Sequence, residues 1–153
     1  MKFECFAFEE LSVEQLYKIL KLRQEVFVVE QNCPYLDADD KDQESYHLVS
    51  WDEQGEATAY VRILPMGLSY PDYVSIGRVV TSKQIRGTGG GKKLMEEAIA
   101  QARKLFGDAP IKISAQSYLL KFYLQLGFEP VGEEYLEDDI PHMGMILKIL
   151  NQR

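Results

Sequence analysis

Arg86-Gly87-Thr88-Gly89-Gly90-Gly91 joins a β-rich run, Tyr73 to Thr81, to a segment in which Leu94, Met95, Ala98, Ile99, Ala102, Leu105 and Phe106 recur at helical spacing. A glycine-rich turn that leads a strand into a helix lets backbone N–H groups converge. The helix dipole adds about half a positive charge at the same point. Arg86 contributes a permanent charge whose planar donors suit phosphate oxygens. A turn whose glycines merely satisfy unusual φ angles is the structural alternative. Four glycines and an arginine at a helix mouth favour the phosphate reading.

Spacing excludes two common nucleotide motifs. A P-loop requires glycine where Arg86 stands and a hydroxyl residue where Lys93 stands. A dinucleotide fingerprint begun at Gly87 requires glycine at Lys92, and one begun at Gly89 requires it at Leu94.

Outward from the loop, the spacing predicts a helix from about Gly89 to Phe106, stopped by Gly107. Ile111 to Ala115 reads as a buried strand. Ser117 opens a further helix that Gly127 closes, and Val131–Tyr135 and His142–Leu150 read as two final strands. Toward the N-terminus, Phe3–Phe8 reads as a strand. Ser12 and Gln15 form a capping box ahead of one helix over about residues 13–28. Tyr46–Trp51 and Ala57–Leu64 flank Asp52-Glu53-Gln54-Gly55 as a β-hairpin. The order predicts an α/β or α+β fold: a mixed central sheet of about six to seven strands with helices on its faces. The 153 residues read as a single domain, 1–153, without repeats or linkers.

A net charge of −7 and the lack of a basic run argue against nucleic-acid binding, and an acidic surface draws cationic partners such as amines. No apolar run approaches the roughly 18 residues of a membrane span, and Met1-Lys2-Phe3-Glu4-Cys5 lacks the basic start of a signal peptide. The expectation is a soluble, cytoplasmic protein that uses no membrane. Its two cysteines, Cys5 and Cys33, are read as reduced. The sequence does not fix an oligomeric state, and a homodimer is compatible with it.

Arg86-x-x-Gly89-x-Gly91 after a strand resembles the pyrophosphate signature of the GNAT acetyltransferase superfamily. Phe122-Tyr123-x-x-x-Gly127-Phe128 resembles its second cofactor motif, although alone that pair reads as core packing. Leu22-Arg23-Gln24-Glu25-Val26-Phe27-Val28-Val29-Glu30-Gln31-Asn32-Cys33-Pro34-Tyr35, Ile76-Gly77-Arg78-Val79 and Ile140-Pro141-His142-Met143-Gly144-Met145 extend the resemblance, over nearly the whole length, to the ElaA-like branch.

The resemblance implies a GNAT fold and an acetyl-CoA-dependent N-acetyltransferase acting by direct attack in a ternary complex. The backbone of Val79, Val80 and Thr81 would pair with the pantetheine arm. Arg86, Gly87, Thr88, Gly89, Gly90 and Gly91 would hold the diphosphate, and Gln116 would touch the cofactor arm. Tyr123 would donate its O–H to the leaving thiolate. The acceptor is a small-molecule or peptide amine. A non-catalytic acyl-CoA sensor and an interaction domain are the alternatives.

An attacking ammonium must first lose a proton. Glu30 and His142 are candidate bases, Glu30 first, each with an alternative role in holding the fold. His47 is read as packing, and Arg78 as orienting a carboxylate or closing an internal ion pair. Asp37-Ala38-Asp39-Asp40-Lys41-Asp42 fails the EF-hand spacing, so no metal is expected and the run is read as a solvated rim. Cys33 is read as structural.

Overall fold

The computed structural model describes residues 1–148. Its element order follows from the sequence patterns. Strand β1 (Phe3–Ala7) leads through a 3₁₀ turn to helix α1 (Val13–Arg23). At the start of α1 the Ser12 hydroxyl accepts from the Gln15 amide at 3.0 Å, while Gln15 returns the bond at 2.9 Å. This is the predicted capping box.

The predicted helix over residues 13–28 is not α-helical throughout. After Arg23 it widens into a π-helical segment, Gln24–Glu30, and Gln31 and Cys33 donate five residues back, to Val26 and Val28. The hydrophobic spacing shifts too little at this junction to reveal the change. A wider turn rotates Phe27 and Glu30 relative to a continuous α-helix, and such segments are often found at functional sites.

Strands β2 (Tyr46–Trp51), β3 (Ala57–Leu64) and β4 (Val74–Thr81) precede helix α2 (Gly90–Phe106). Strand β5 (Ile111–Gln116), helix α3 (Leu120–Gln125, entered by a 3₁₀ turn from Ser117), β6 (Glu129–Glu137) and β7 (Ile140–Leu147) complete the chain. The predicted last strand ran to Leu150, and residues 149–150 lie outside the described part. The strands form one seven-stranded mixed sheet in the order β1-β2-β3-β4-β5-β7-β6, in which only β4 and β5 run parallel.

Alternation along the strands assigns the two faces. Leu48, Val61 and Ile63 join Leu94, Met95 and Ala98 of α2, whereas Val49 and Tyr60 join Ile19 and Leu22 of α1. Burying each such aliphatic side chain contributes about 1.5–3 kcal/mol. The two layers hold the sheet between α1 and α2.

His47 and Arg62 lie on the α1 face beside Tyr60, and Arg23 reaches them from the end of α1. The predicted solvated rim is therefore overturned. Asp37 and Asp42 are 7% and 8% exposed. Fully buried Arg23 donates to Asp37 Oδ2 and Asp42 Oδ1, each at 2.8 Å. Arg62 joins Asp42 to Asp39, and Arg78 joins Asp37 to Asp39. Buried carboxylates require such partners. These partners lie far away in sequence, so the loop alone looks like surface. His47 is buried as read, with Nδ1 at 2.6 Å from the Tyr60 hydroxyl and Nε2 at 2.9 Å from the Asp42 carbonyl.

Candidate active site

Strands β4 and β5 pair only at Val74–Ile111 and Ser75–Lys112 and then diverge. Beyond that point β5 bonds to β7, from Ile111–Leu147 to Gln116–His142, which leaves its β4-facing edge free. On β4, Arg78 and Val79 together oppose Val61: the register passes from Tyr60–Val80 to Arg62–Gly77. Arg78 takes φ 51°, uncommon for a side chain of its size. This bulge is fixed by the Arg78 guanidinium, which donates to the Asp37 carboxylate at 2.8 Å and to its carbonyl at 2.9 Å. The internal ion pair is the one of the two predicted Arg78 roles that the structure contains.

The divergence opens a cleft of about 890 Å³. Of the predicted site residues, Glu30, Val79, Val80, Thr81, Arg86, Gly91, Gln116, Tyr123 and His142 line it. Gly87, Thr88, Gly89 and Gly90 do not. They form the turn at its mouth, where Gly87 and Gly89 take φ 79° and 82°. Gly89 is the N-cap of α2 and supplies no side chain to the first-turn amides. Those amides remain available to an anion. Gly90 is constrained differently, since a Cβ there would sit 2.9 Å from Ile85 Cδ1.

Arg86 folds back over the end of β4. Its Nη2 donates to the Thr81 carbonyl at 3.0 Å and to Glu30 at 2.8 Å. Glu30 also faces Lys83 at 3.9 Å. Here the Glu30 carboxylate holds the arginine. Gln116 donates to Gln31 at 3.4 Å, linking β5 to the end of the π-helical segment.

Tyr123 is 5% exposed and packs edge-on against Phe122 and Phe128, whose ring centroids lie 5.1 and 5.9 Å away. Its hydroxyl has no hydrogen-bond partner among the described residues. Burial, and secondarily Tyr118, pushes the phenol up to about 12. The proton therefore stays on the oxygen at neutral pH and is available to donate.

His142 sits where β7 passes between β5 and β6. Nδ1 lies 2.6 Å from the Ile140 carbonyl and so carries the proton, because a carbonyl only accepts. Nε2 lies 3.5 Å from Glu137 Oε2. The other Glu137 oxygen accepts from Ser114 Oγ at 3.3 Å, and Ser114 also bonds the Tyr135 hydroxyl. Tyr135 stacks on the imidazole at 6.2 Å. Sequence reading missed Ser114, Tyr135 and Glu137. The period-2 alternation of β6 was the available signal, obscured by the irregular pairing between Val131 and Tyr135.

Asp138 and Asp139, with φ 50° and 62°, form a tight two-residue turn between β6 and β7. The Asp138 carbonyl accepts from Cys33 Sγ at 3.5 Å. Cys5 and Cys33 are both free thiols, and burial raises the Cys5 thiol to about 11. Among the described residues, no group of three or more His, Cys, Asp or Glu is placed to hold a metal ion. No helix among them is long and apolar enough to cross a membrane.

A sheet that splits between its two parallel strands, with a glycine turn at the mouth of the split, defines the acyl-CoA N-acyltransferase fold class. The chain belongs to the acetyltransferase (GNAT) domain family, whose model matches residues 5–149. Within it the chain is ElaA-like. It is 43% identical to protein ElaA of Escherichia coli over 143 residues, 92% of each chain. The crystal structure of that protein superposes with a TM-score of 0.89, covering 97% of this chain and all (100%) of the other. An acyl-CoA N-acyltransferase from Pseudomonas aeruginosa, 43% identical, gives a TM-score of 0.88 over 95% of this chain and 99% of that one. A UPF0039 protein from Synechocystis is 42% identical over 142 residues, 93% of this chain and 92% of its own.

Proposed function

We propose that this chain transfers an acetyl group from acetyl-CoA to an amine acceptor in a ternary complex, as a single domain acting in the cytoplasm. The observation that carries the reading is the unpaired edge of β4. Among the described residues, no strand pairs with it on its β5 side from Ile76 to Thr81, and Tyr123, Arg86 and Gly91 line the same cleft beside the uncapped start of α2. An extended chain with amide groups can bond such an edge as an added strand does. A diphosphate suits the free amides at Gly89–Gly91 and the Arg86 charge. The residues present therefore fit coenzyme A.

Acetyl-CoA, when bound, supplies a thioester carbonyl open to attack and a thiolate leaving group. The chain's own residues then divide the work. Val79, Val80 and Thr81 present backbone donors and acceptors to the arm, and Gln116 lines the opposite wall. Arg86 and the glycine amides hold negative charge at the mouth, with Glu30 keeping the guanidinium in position. Tyr123 donates its retained proton where the thiolate departs.

His142 is the base this geometry favours. Its Nε2 is the lone-pair nitrogen of the neutral ring, and Glu137 stands ready to stabilise the imidazolium formed when that nitrogen takes the amine's proton. Glu30, the first-ranked candidate from sequence, is engaged with Arg86. Cys33 donates to a carbonyl, and no hydrogen bond joins it to a histidine among the described residues, in keeping with transfer that forms no acyl-enzyme.

The test is thiol release from acetyl-CoA with a panel of primary amines. The reading predicts amine-dependent release and an acetylated product by mass. Binding of acetyl-CoA without amine-dependent release would instead indicate a sensor.

A further inference from the structure

The buried ion network next to the cleft is balanced. Arg23, Arg62 and Arg78 face Asp37, Asp39 and Asp42, three positive charges against three negative. Lys41 belongs to the same loop and falls outside that balance. Its Nζ bonds the Ser69 hydroxyl at 3.3 Å and has no carboxylate partner among the described residues.

The lysine backbone is firmly held. The Lys41 amide donates to Asp39 Oδ1 at 3.2 Å, and its carbonyl accepts from Ser45 Oγ at 2.7 Å. The ammonium thus extends from a fixed point into the lining of the cleft, which it shares with Ser69, Tyr70, Glu137 and His142. Tyr70 adjoins Ser69 in sequence and feels Tyr135 and Glu137, which together with burial, the larger effect, raise its phenol. An uncompensated cation and the Glu137 carboxylate therefore lie in one cavity, which Ser69 and Tyr70 also line.

We propose that the acceptor is an amino-acid-like zwitterion, whose carboxylate binds Lys41 while its amine is presented to His142 and Glu137. This inference rests on the acetyl-transfer reading and names the substrate class for it. An amine that carries no carboxylate would leave the Lys41 charge unanswered, whereas a carboxylate bonded to Ser69 and Lys41 answers it with charge-assisted hydrogen bonds.

The experiment compares ω-amino acids, from glycine to 5-aminopentanoate, with their carboxamides. Thiol release gives kcat/KM, and calorimetry on the CoA-loaded protein gives the dissociation constant. The acids of optimal length should exceed their amides by about tenfold, the factor corresponding to about 1.4 kcal/mol. Lys41→Met should erase that preference without altering the melting temperature, and Lys41→Arg should retain it. Equal use of acids and amides, or a preference that survives in Lys41→Met, overturns the inference while leaving acetyl transfer to amines intact. Failure of both series to bind also overturns it. Preferential binding of the acids without turnover supports this subsite and counts against the catalytic reading.

Discussion

Replacing Arg23 with methionine isolates the part of the fold on which the cleft wall depends. The side chain is 0% exposed and makes bonds at 2.8 Å to Asp37 Oδ2, 2.8 Å to Asp42 Oδ1 and 3.3 Å to the Asp37 carbonyl. Breaking a buried pair by removing one partner costs about 3–5 kcal/mol, because it leaves a buried charge uncompensated. Here Arg78 still holds Asp37 at 2.8 Å and Arg62 still holds Asp42 at 3.0 Å. The cost therefore belongs at the low end, about 3 kcal/mol, which is a large share of the ~5–15 kcal/mol that holds a typical domain together.

Denaturant titration at pH 7 measures this loss directly, and the melting temperature should fall by roughly 6–12 °C. Acid provides a second check. Burial pushes the Asp42 carboxyl up, but Arg23 and Arg62 outweigh it and hold it below the usual carboxylate range. A lowered folded value means the stabilisation is complete above the unfolded value of about 3.9 and disappears as pH falls through the folded value. The gap between wild type and Arg23→Met should thus stay constant from pH 8 to about 5 and narrow below about 4. A loss under about 1 kcal/mol at pH 7, or a gap indifferent to acid, would refute the account of a network that pins the loop.

Other substitutions separate the proposed roles. Tyr123→Phe should lower kcat by about 10²-fold while changing acetyl-CoA affinity little, since only the hydroxyl is removed from a packed ring; unaltered turnover in steady-state assays would remove its acid role. His142→Gln should lower kcat by at least about 10²-fold. Glu30→Gln should chiefly raise the KM for acetyl-CoA by loosening Arg86, and a larger kcat loss for Glu30→Gln than for His142→Gln would restore Glu30 as the base.

What could be read from sequence was local. The capping box at Ser12, the hairpin around Asp52–Gly55 and the glycine turn into α2 each carry their signal within a few residues, and each stands in the structure where it was expected. What escaped depends on contacts distant along the chain. Asp37, Asp39 and Asp42 look solvated until arginines from α1, β3 and β4 are brought to them. The positive φ of the β4 bulge falls on Arg78 and not on the neighbouring Gly77, where a reader of the sequence would look for it. The π-helical turn keeps the apolar spacing of an α-helix closely enough to pass for one. Around the cleft, the position of the glycine turn ahead of α2 was legible, whereas the Ser114–Glu137–His142 arrangement arises only when β5, β6 and β7 lie side by side.

The cradle formed by residues 86–91 is tested most directly by calorimetric titration of coenzyme A into wild type and into the Arg86→Ala, Gly89→Ala double variant. Alanine at φ 82° strains the turn, and removal of the guanidinium deletes its charge. Saturable one-site binding by wild type, weakened at least about tenfold in the variant at an unchanged fold, is the predicted result. Equal affinity in the two proteins would contradict it.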